Sequence, residues 1–352
     1  MQTITITDKF IFVIAVIFVV VVILFYVSIN TYWPIIGDSH QVSYSSQGKV
    51  FVMYAASLTK IFENNLGPLF EKQTGYTYTG EGKGSIQIAN MIIDGQRRPD
   101  VFVSAGTVPM IKLMIANSSV TSHRYPLVQW FIKFASAEMV IAYSHNSRYY
   151  YDLEKARVGQ VPWYQVLSKQ DFKFGRTDPE LDPKGYYMII TAKLSNLYYH
   201  DQMIKYKILG DDRNPKQLFP EETLKTTLES GQLDAVAAYK HEAMSMGIPF
   251  ITLPPQINLA NTTYSDFYKM ASYTLHTGQT IYGQPIYFCL TIPEAVKNLS
   301  GATSFIKFLL SIDGKHILEG QGLNYIQIPA SEETDKIPFS IREMIGKPIV
   351  IK

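Results

Sequence analysis

Two serines in this chain stand where a hydroxyl could meet an anion. Ser57 follows the apolar run 50–54 and precedes the periodic apolar positions Ile61, Phe62, Leu66, Leu69 and Phe70. Ser85 follows Gly84 and the Tyr76-Thr77-Tyr78 run, and precedes Ile86, Ala89, Asn90 and Ile93. A serine at a strand-to-helix junction can offer its hydroxyl and the free N–H groups of the first helical turn to one anion. Two such junctions facing one point would make a cradle that needs no lysine or arginine. The plainer reading is that each serine is an ordinary N-cap.

Two other motifs carry polar chemistry. In Arg176-Thr-Asp178-Pro-Glu-Leu-Asp182-Pro183-Lys-Gly185-Tyr186, Asp182 reads as an N-cap and Pro183 as a first helical residue, with a helix over 187–197. The functional reading of the same residues puts the Asp182 carboxylate, or the N–H groups of the turn, into a cleft. In the second motif the apolar stretch 235–238 ends in Tyr239-Lys240-His241-Glu242. Tyr239 could donate its hydroxyl to a bound anion, while Lys240 and Glu242 could simply pair on the surface.

Enzyme signatures do not emerge. There is no G-x-S-x-G elbow and no H-E-x-x-H, and the seven histidines are scattered without metal-ligand spacing. Gly80-Glu-Gly82-Lys83-Gly84-Ser85 matches neither the P-loop nor the dinucleotide fingerprint. We therefore expect no catalytic residue, no cofactor and no free metal ion.

The elements that would position these groups alternate along the chain. Strands are expected at 50–54, 101–104, 139–143, 236–238, 250–253 and 286–291, with helical segments such as 86–93, 222–230 and 302–310 between them. That alternation predicts an α/β fold with mostly parallel strands, and Ser57 at the carboxyl end of one of them. Gly67-Pro68 interrupts the helix after Ser57, so a kink or break is expected there.

At 352 residues the chain can form one large or two medium domains, and its 47% hydrophobic and 18% charged residues are those of a globular protein. A net charge of +2, without a basic cluster, argues against nucleic acid or an anionic membrane surface as partner. The apolar run 10–29 is long enough for about 30 Å of helix, one bilayer core, and ends without a small-x-small cleavage site. It reads as an uncleaved signal anchor, with 1–9 in the cytoplasm, 30–48 as a polar linker and the rest outside the cell. The acceptor triplets at Asn117, Asn261 and Asn298 fit an external face. The single cysteine, Cys289, lies in the apolar run 286–290, which excludes an intrachain disulfide and predicts a buried strand residue.

With these motifs in hand, the chain resembles the molybdate/tungstate-binding proteins of ABC importers, most closely the archaeal branch. The resemblance rests on Ala55-Ala56-Ser57-Leu58-Thr59, on Gly84-Ser85 with Arg98-Pro-Asp100-Val-Phe-Val-Ser104-Ala105, and on Asp178-Pro with Asp182-Pro-x-Gly185-Tyr186. It continues through Leu233-Asp, Tyr239-Lys240, Gln284-Pro-Ile286, Thr291-Ile-Pro293 and Phe305-Ile-Lys-Phe-Leu-Leu310, in family order over about 49–328. It implies a two-lobed, type II Venus-flytrap fold of the periplasmic-binding-protein class. One lobe would hold 49–137 and 286–330, the other 138–285, with crossing strands near 138–143 and 284–291 as hinge and 331–352 as a tail on the outside.

The resemblance also implies an oxyanion between the lobes, carried to an ABC permease with its cytoplasmic ATPase by a monomeric binding protein. Ser57 and Ser85 match the family's ligand serines, with the backbone at Ala56 and Gly84 beside them. Asp182 matches a carboxylate that in the archaeal branch completes an expanded coordination of the metal centre, and Tyr239 matches a tyrosine used by the bacterial branch. The archaeal branch places a glutamate just before that tyrosine, and here the position is Ala238. Either the anion stays tetrahedral and hydrogen-bonded, or another acid such as Glu242 takes that place. Sulfate, phosphate or a small organic anion remains the competing cargo, and a non-transporting sensor or surface domain the competing role.

Overall fold

The computed structural model describes residues 19–24, 47–116, 126–332 and 334–345. The chain divides into two units, Met1–Ser45 and Ser46–Lys352. In the first unit, 19–24 are helical and their apolar side chains are exposed. The rest of the expected anchor at 10–29, and the linker at 30–46, lie outside the described residues. No described helix is long and apolar enough to cross a membrane.

The second unit carries twelve described strands. They are β1 (Lys49–Ala55), β2 (Thr77–Lys83), β3 (Val101–Ala105), β4 (Phe131–Ala137), β5 (Met139–Tyr143), β6 (Phe174–Gly175), β7 (Ala235–Tyr239), β8 (Phe250–Thr252), β9 (Ser272–Thr274), β10 (Thr280–Tyr282), β11 (Ile286–Thr291) and β12 (Asn324–Glu332). One sheet has the order β12-β4-β11-β3-β1-β2, a second the order β6-β7-β5-β8, and β9 and β10 form a hairpin. The chain leaves the six-stranded sheet at the end of β4, passes through Glu138 and enters the four-stranded sheet with β5. It returns between β10 and β11.

β1 shows why the central strands read as continuous apolar runs. Val50, Val52 and Tyr54 pack into one core cluster and Met53 into another on the opposite face, so both sides are covered. Cys289 of β11 is fully buried in that second cluster, as expected.

The expectation of mostly parallel strands is corrected. β1 pairs in parallel with β2 and β3, and β6 with β7, but β11 runs antiparallel to β3 and β4, β12 to β4, and β5 to β7 and β8. The reason is connectivity. β4 runs almost directly into β5, and β11 returns against it, so strands that are not joined by helical crossovers enter both sheets.

Other departures have local causes. β2 carries the strand begun by the Tyr76-Thr77-Tyr78 run on through Gly80 and Gly82 to Lys83. A Cβ on Gly80 would stand 2.0 Å from Glu63 Oε1, so the glycine marks a close approach. The expected break at Gly67-Pro68 takes the form of a π-turn at Phe62–Leu66, which feeds without interruption into the helix Gly67–Thr74. Glu63, on that turn, accepts from the Tyr54 hydroxyl at 2.5 Å and the Tyr78 hydroxyl at 3.0 Å. The tail does not only lie on the outside: β12 reaches Glu332, and Ile337 and Ile341 are buried. Asn261 and Asn298 cap helical turns, accepting from Thr263 and Gly301 N–H, while Asn117 lies outside the described residues.

Candidate functional site

Neither serine is an N-cap. Ser57 lies inside the 3-10 turn Ala56–Leu58 that follows β1, and its buried hydroxyl has no hydrogen-bond partner among the described residues. Ser85 is the first residue of the helix Ser85–Ile93, with Gly84 in the cap position. Its Oγ accepts from Ala105 N–H at 3.0 Å, and that bond leaves the hydroxyl proton to donate elsewhere.

Asp182 does cap its helix, Pro183–Tyr198, in an extended conformation with Pro183 in the first turn. Its Oδ1 accepts from Lys184 N–H at 2.8 Å and from Thr177 Oγ at 3.1 Å. The segment before it meets the helix Ser85–Ile93 from the six-stranded sheet, where Gln87 N–H donates to Leu181 O at 3.0 Å. A Cβ on Gly84 would stand 2.7 Å from Leu181 O and 3.3 Å from Asp182 Cβ. Only glycine lets these two backbones approach so closely.

Tyr239 ends β7 with its ring buried and its hydroxyl without a partner. The ring stacks on His241, with centroids 5.6 Å apart and planes at 15°, and its edge meets Phe288 of β11 at 5.9 Å. Sequence reasoning assigned no role to Tyr186 and Tyr187, in the first turns of the Asp182-capped helix. Both are fully buried, their hydroxyls lie near one another without a well-formed hydrogen bond among the described residues, and those hydroxyls stand 3.0 and 2.9 Å from where a Cβ on Gly106, just after β3, would be. A Tyr-Tyr pair two residues beyond Asp182-Pro183 carries no signal of its own in the sequence. The Tyr186 and Tyr187 hydroxyls beside Gly106, and the Tyr239 ring against Phe288, thus lie where the two sheets meet.

The charged groups behind them form one network. Lys184, fully buried, donates to Glu221 Oε1 at 2.7 Å and to both oxygens of Glu242, at 3.0 and 2.9 Å. Glu242 Oε2 also accepts from Tyr239 N–H at 3.2 Å. The surface pairing expected of Lys240 and Glu242 is corrected: Lys240 pairs with Glu138 at 2.7 Å, and Glu242 turns inward. Ala238 packs with Val140, Leu224, Leu228 and Val236, in a cluster that excludes Tyr239.

Burial governs the proton affinities here. It pushes the Asp182 and Glu221 carboxyls up, against the pull of Lys184, and pushes the Tyr239 and Tyr186 phenols well up. It lowers His241 to about 4, so that imidazole is neutral at physiological pH. For Lys184 the burial penalty is outweighed by Glu221, Glu242 and Asp182, and its ammonium is held. A cleft of about 580 Å³ opens beside Asp182, with Lys83, Gly84 and Gln87 on one wall and Thr177, Leu218 and Glu221 on the other. Among the described residues no group of three or more His, Cys, Asp or Glu could hold a metal ion. A site of buried neutral donors flanked by carboxyls can take an anion whose oxygens accept those hydrogen bonds.

Residues 50–324 match the family of bacterial extracellular solute-binding proteins. The chain belongs to that family. An uncharacterized solute-binding protein of Petrotoga mobilis is 36% identical over 306 residues, covering 85% of this chain and 90% of the relative. The molybdate/tungstate-binding protein WtpA of Pyrococcus abyssi is 30% identical over 322 residues, covering 84% and 90%. Among solved structures, the periplasmic molybdate-binding protein of Azotobacter vinelandii superposes with a TM-score of 0.51 at 16% identity, over 79% of this chain and 98% of that one. The sulfate-binding protein SubI of Mycobacterium tuberculosis gives 0.51 at 13% identity, over 79% and 87%. These two likenesses establish the mixed α/β, two-lobed fold of periplasmic binding proteins. A family of extracellular solute-binding proteins works as a transport component, which agrees with the enzyme signatures missing from the sequence.

Proposed function

We propose that this protein captures a tetrahedral oxyanion, molybdate or tungstate, between its two lobes and delivers it to an ABC permease. The observation that carries the reading is the set of buried hydroxyls of Ser57, Tyr186, Tyr187 and Tyr239 that find no hydrogen-bond partner among the described residues. Buried polar groups are almost always paired, so several orphan hydroxyls point to a missing acceptor. The cargo is proposed from the relatives named as molybdate/tungstate-binding, at 30% identity in Pyrococcus abyssi and 28% in Thermococcus kodakarensis.

In this reading Ser57, Ser85 and the tyrosines donate hydroxyls, and the backbone at Ala56 and Gly84 supplies N–H groups from one lobe. Asp182 closes the site from the other lobe. The anion stays tetrahedral and hydrogen-bonded, because position 238 is a methyl in an apolar cluster and both oxygens of Glu242 are engaged. The lobes comprise 49–137 with 286–330, and 138–285. Opening about the two crossings releases the cargo, and the combined lobe surface meets the permease, whose ATPase stands on the cytoplasmic side. The protein acts as a monomeric binder without chemistry of its own. The apolar segment 10–29 tethers it to the membrane with the binding domain outside.

The test is thermal unfolding of the full chain with tungstate, molybdate, sulfate and phosphate. A ligand that binds only the folded state adds about 2.7 kcal/mol at 100 times its Kd. A rise in Tm with tungstate or molybdate supports the reading. A rise with sulfate or phosphate alone reassigns the cargo, and no rise with any of the four sinks the oxyanion assignment.

A further inference from the structure

We infer that Glu221 is an anion-binding residue of this cleft, its neutral carboxyl donating a hydrogen bond from Oε2 to an oxygen of the bound anion. The inference rests on the oxyanion reading above and adds a ligand residue and a proton requirement to it. Glu221 begins the helix Glu221–Glu229, and its side chain is only 4% exposed. Oε1 takes the Lys184 ammonium at 2.7 Å, but Oε2 is buried without a partner among the described residues. The carboxyl lines the same cleft as Gly84, Thr177 and Asp182. A buried carboxyl oxygen left unpaired costs free energy in the empty site and needs an explanation in the filled one.

The charge arrangement says which form of the carboxyl faces the ligand. Among the described residues Lys184 is the one cation hydrogen-bonded to this network, and Glu242 already occupies it through both oxygens. Asp182 stands at the start of the same helix as Lys184, and the Lys184 ammonium lies over the Tyr239 ring, 5.7 Å from its centroid. Lys83, on β2, faces the neighbouring Glu222 at 3.7 Å rather than Glu221. An ionised Glu221 would thus add an uncompensated charge next to Asp182, and a dianion entering beside it would add two more. The neutral carboxyl removes that repulsion and turns the orphan oxygen into an O–H donor, the same service the serine and tyrosine hydroxyls perform. Burial, with Glu242 and Asp182 adding to it and Lys184 opposing, pushes the Glu221 carboxyl well above its ordinary range, in agreement with this form.

The experiment is calorimetric titration of the full-length wild type, E221Q and E221A with tungstate between pH 7 and 9.5, where tungstate itself is fully deprotonated. Glutamine keeps a donor that does not titrate, and alanine keeps none. We expect E221A to bind at least about tenfold more weakly at pH 7, the usual scale for one lost hydrogen bond in a buried site, and E221Q to recover most of that loss. Wild-type affinity should fall with pH, by about tenfold per unit once the carboxyl ionises, while E221Q stays flat. If E221A binds like the wild type, or if E221Q and the wild type share one pH profile, Glu221 is a structural partner of Lys184 and the inference is overturned. Wild-type protein that binds neither tungstate, molybdate, sulfate nor phosphate removes the functional reading, and this inference with it. Binding that is intact but insensitive to position 221 removes only the inference.

Discussion

Ser57 and Ser85 stand just after strands of the six-stranded sheet as neutral groups that need little from one another. Asp182, Lys184, Glu221 and Glu242 stand on the four-stranded side as a buried network in which each group leans on the next, and Asp182 and Glu221 of it line the cleft. The contrast suggests a division of labour. The first half can leave a hydroxyl unpaired at modest cost and wait for a ligand, whereas the second must keep its charges balanced for the domain to fold at all. Damage at Ser57 should therefore appear in affinity, and damage to the second half in stability before affinity.

The strongest way to break this comparison is Lys184→Met. Removing one member of a buried ion network leaves the others uncompensated, which costs about 3–5 kcal/mol. We expect the urea midpoint of K184M to drop by that amount with its slope unchanged. A stability within error of the wild type would mean that the four-stranded half does not depend on its ammonium, and the division of labour would fail.

A smaller effect comes from His241, fully buried between the rings of Tyr239 and Phe288. Its folded pKa is lowered to about 4, against about 6.5 when unfolded. Between those values the unfolded chain binds a proton that the folded chain refuses, so unfolding is favoured as pH falls. The contribution is intact above pH 6.5 and is lost progressively toward pH 4, to a total on the order of 3 kcal/mol. Asp182 and Glu221, whose folded pKa values are raised, act in the opposite sense in the acid range. Comparison with His241→Phe isolates the imidazole, since the phenylalanine variant retains those carboxyls. Urea denaturation from pH 7 to 4.5 should show a steeper loss for the wild type, and parallel curves would contradict the burial argument.

How much of this was legible beforehand follows the same division. Apolar runs such as 139–143 and 286–291 announced their strands because burial on both faces leaves a continuous pattern. β2 announced itself only at Thr77-Tyr78, and β4 not at all. One is held by glycines that a neighbouring carboxylate demands, and the other carries Lys133 and Ser136 among its apolar residues. Strand direction was misjudged because alternation of strands and helices says nothing about a strand that crosses directly into a second sheet. At the site, single residues at element junctions could be singled out from sequence, as Ser57, Ser85, Asp182 and Tyr239 were. Glu221, Tyr186 and Tyr187 could not be, because their significance is an orphan atom, and only a fold shows which polar atoms lack partners. Glu242 was visible, but its inward turn depends on Lys184, two residues beyond Asp182 and remote in sequence.

The finest test sets the two serines against each other within the neutral half. Ser57 Oγ has no partner to lose, so Ser57→Ala should leave unfolding stability within about 0.5 kcal/mol of the wild type, as for a substitution that breaks no contact. Ser85 Oγ accepts from the buried Ala105 N–H, so Ser85→Ala strands that donor and should cost about 1–3 kcal/mol. Toward tungstate both variants should weaken by about tenfold, since each removes one hydroxyl donor. Equal affinities with unequal stabilities would separate waiting for a ligand from holding the fold. If Ser57→Ala instead destabilised the protein and left affinity untouched, its hydroxyl would have a structural partner, and the cluster of orphan hydroxyls would lose its first member.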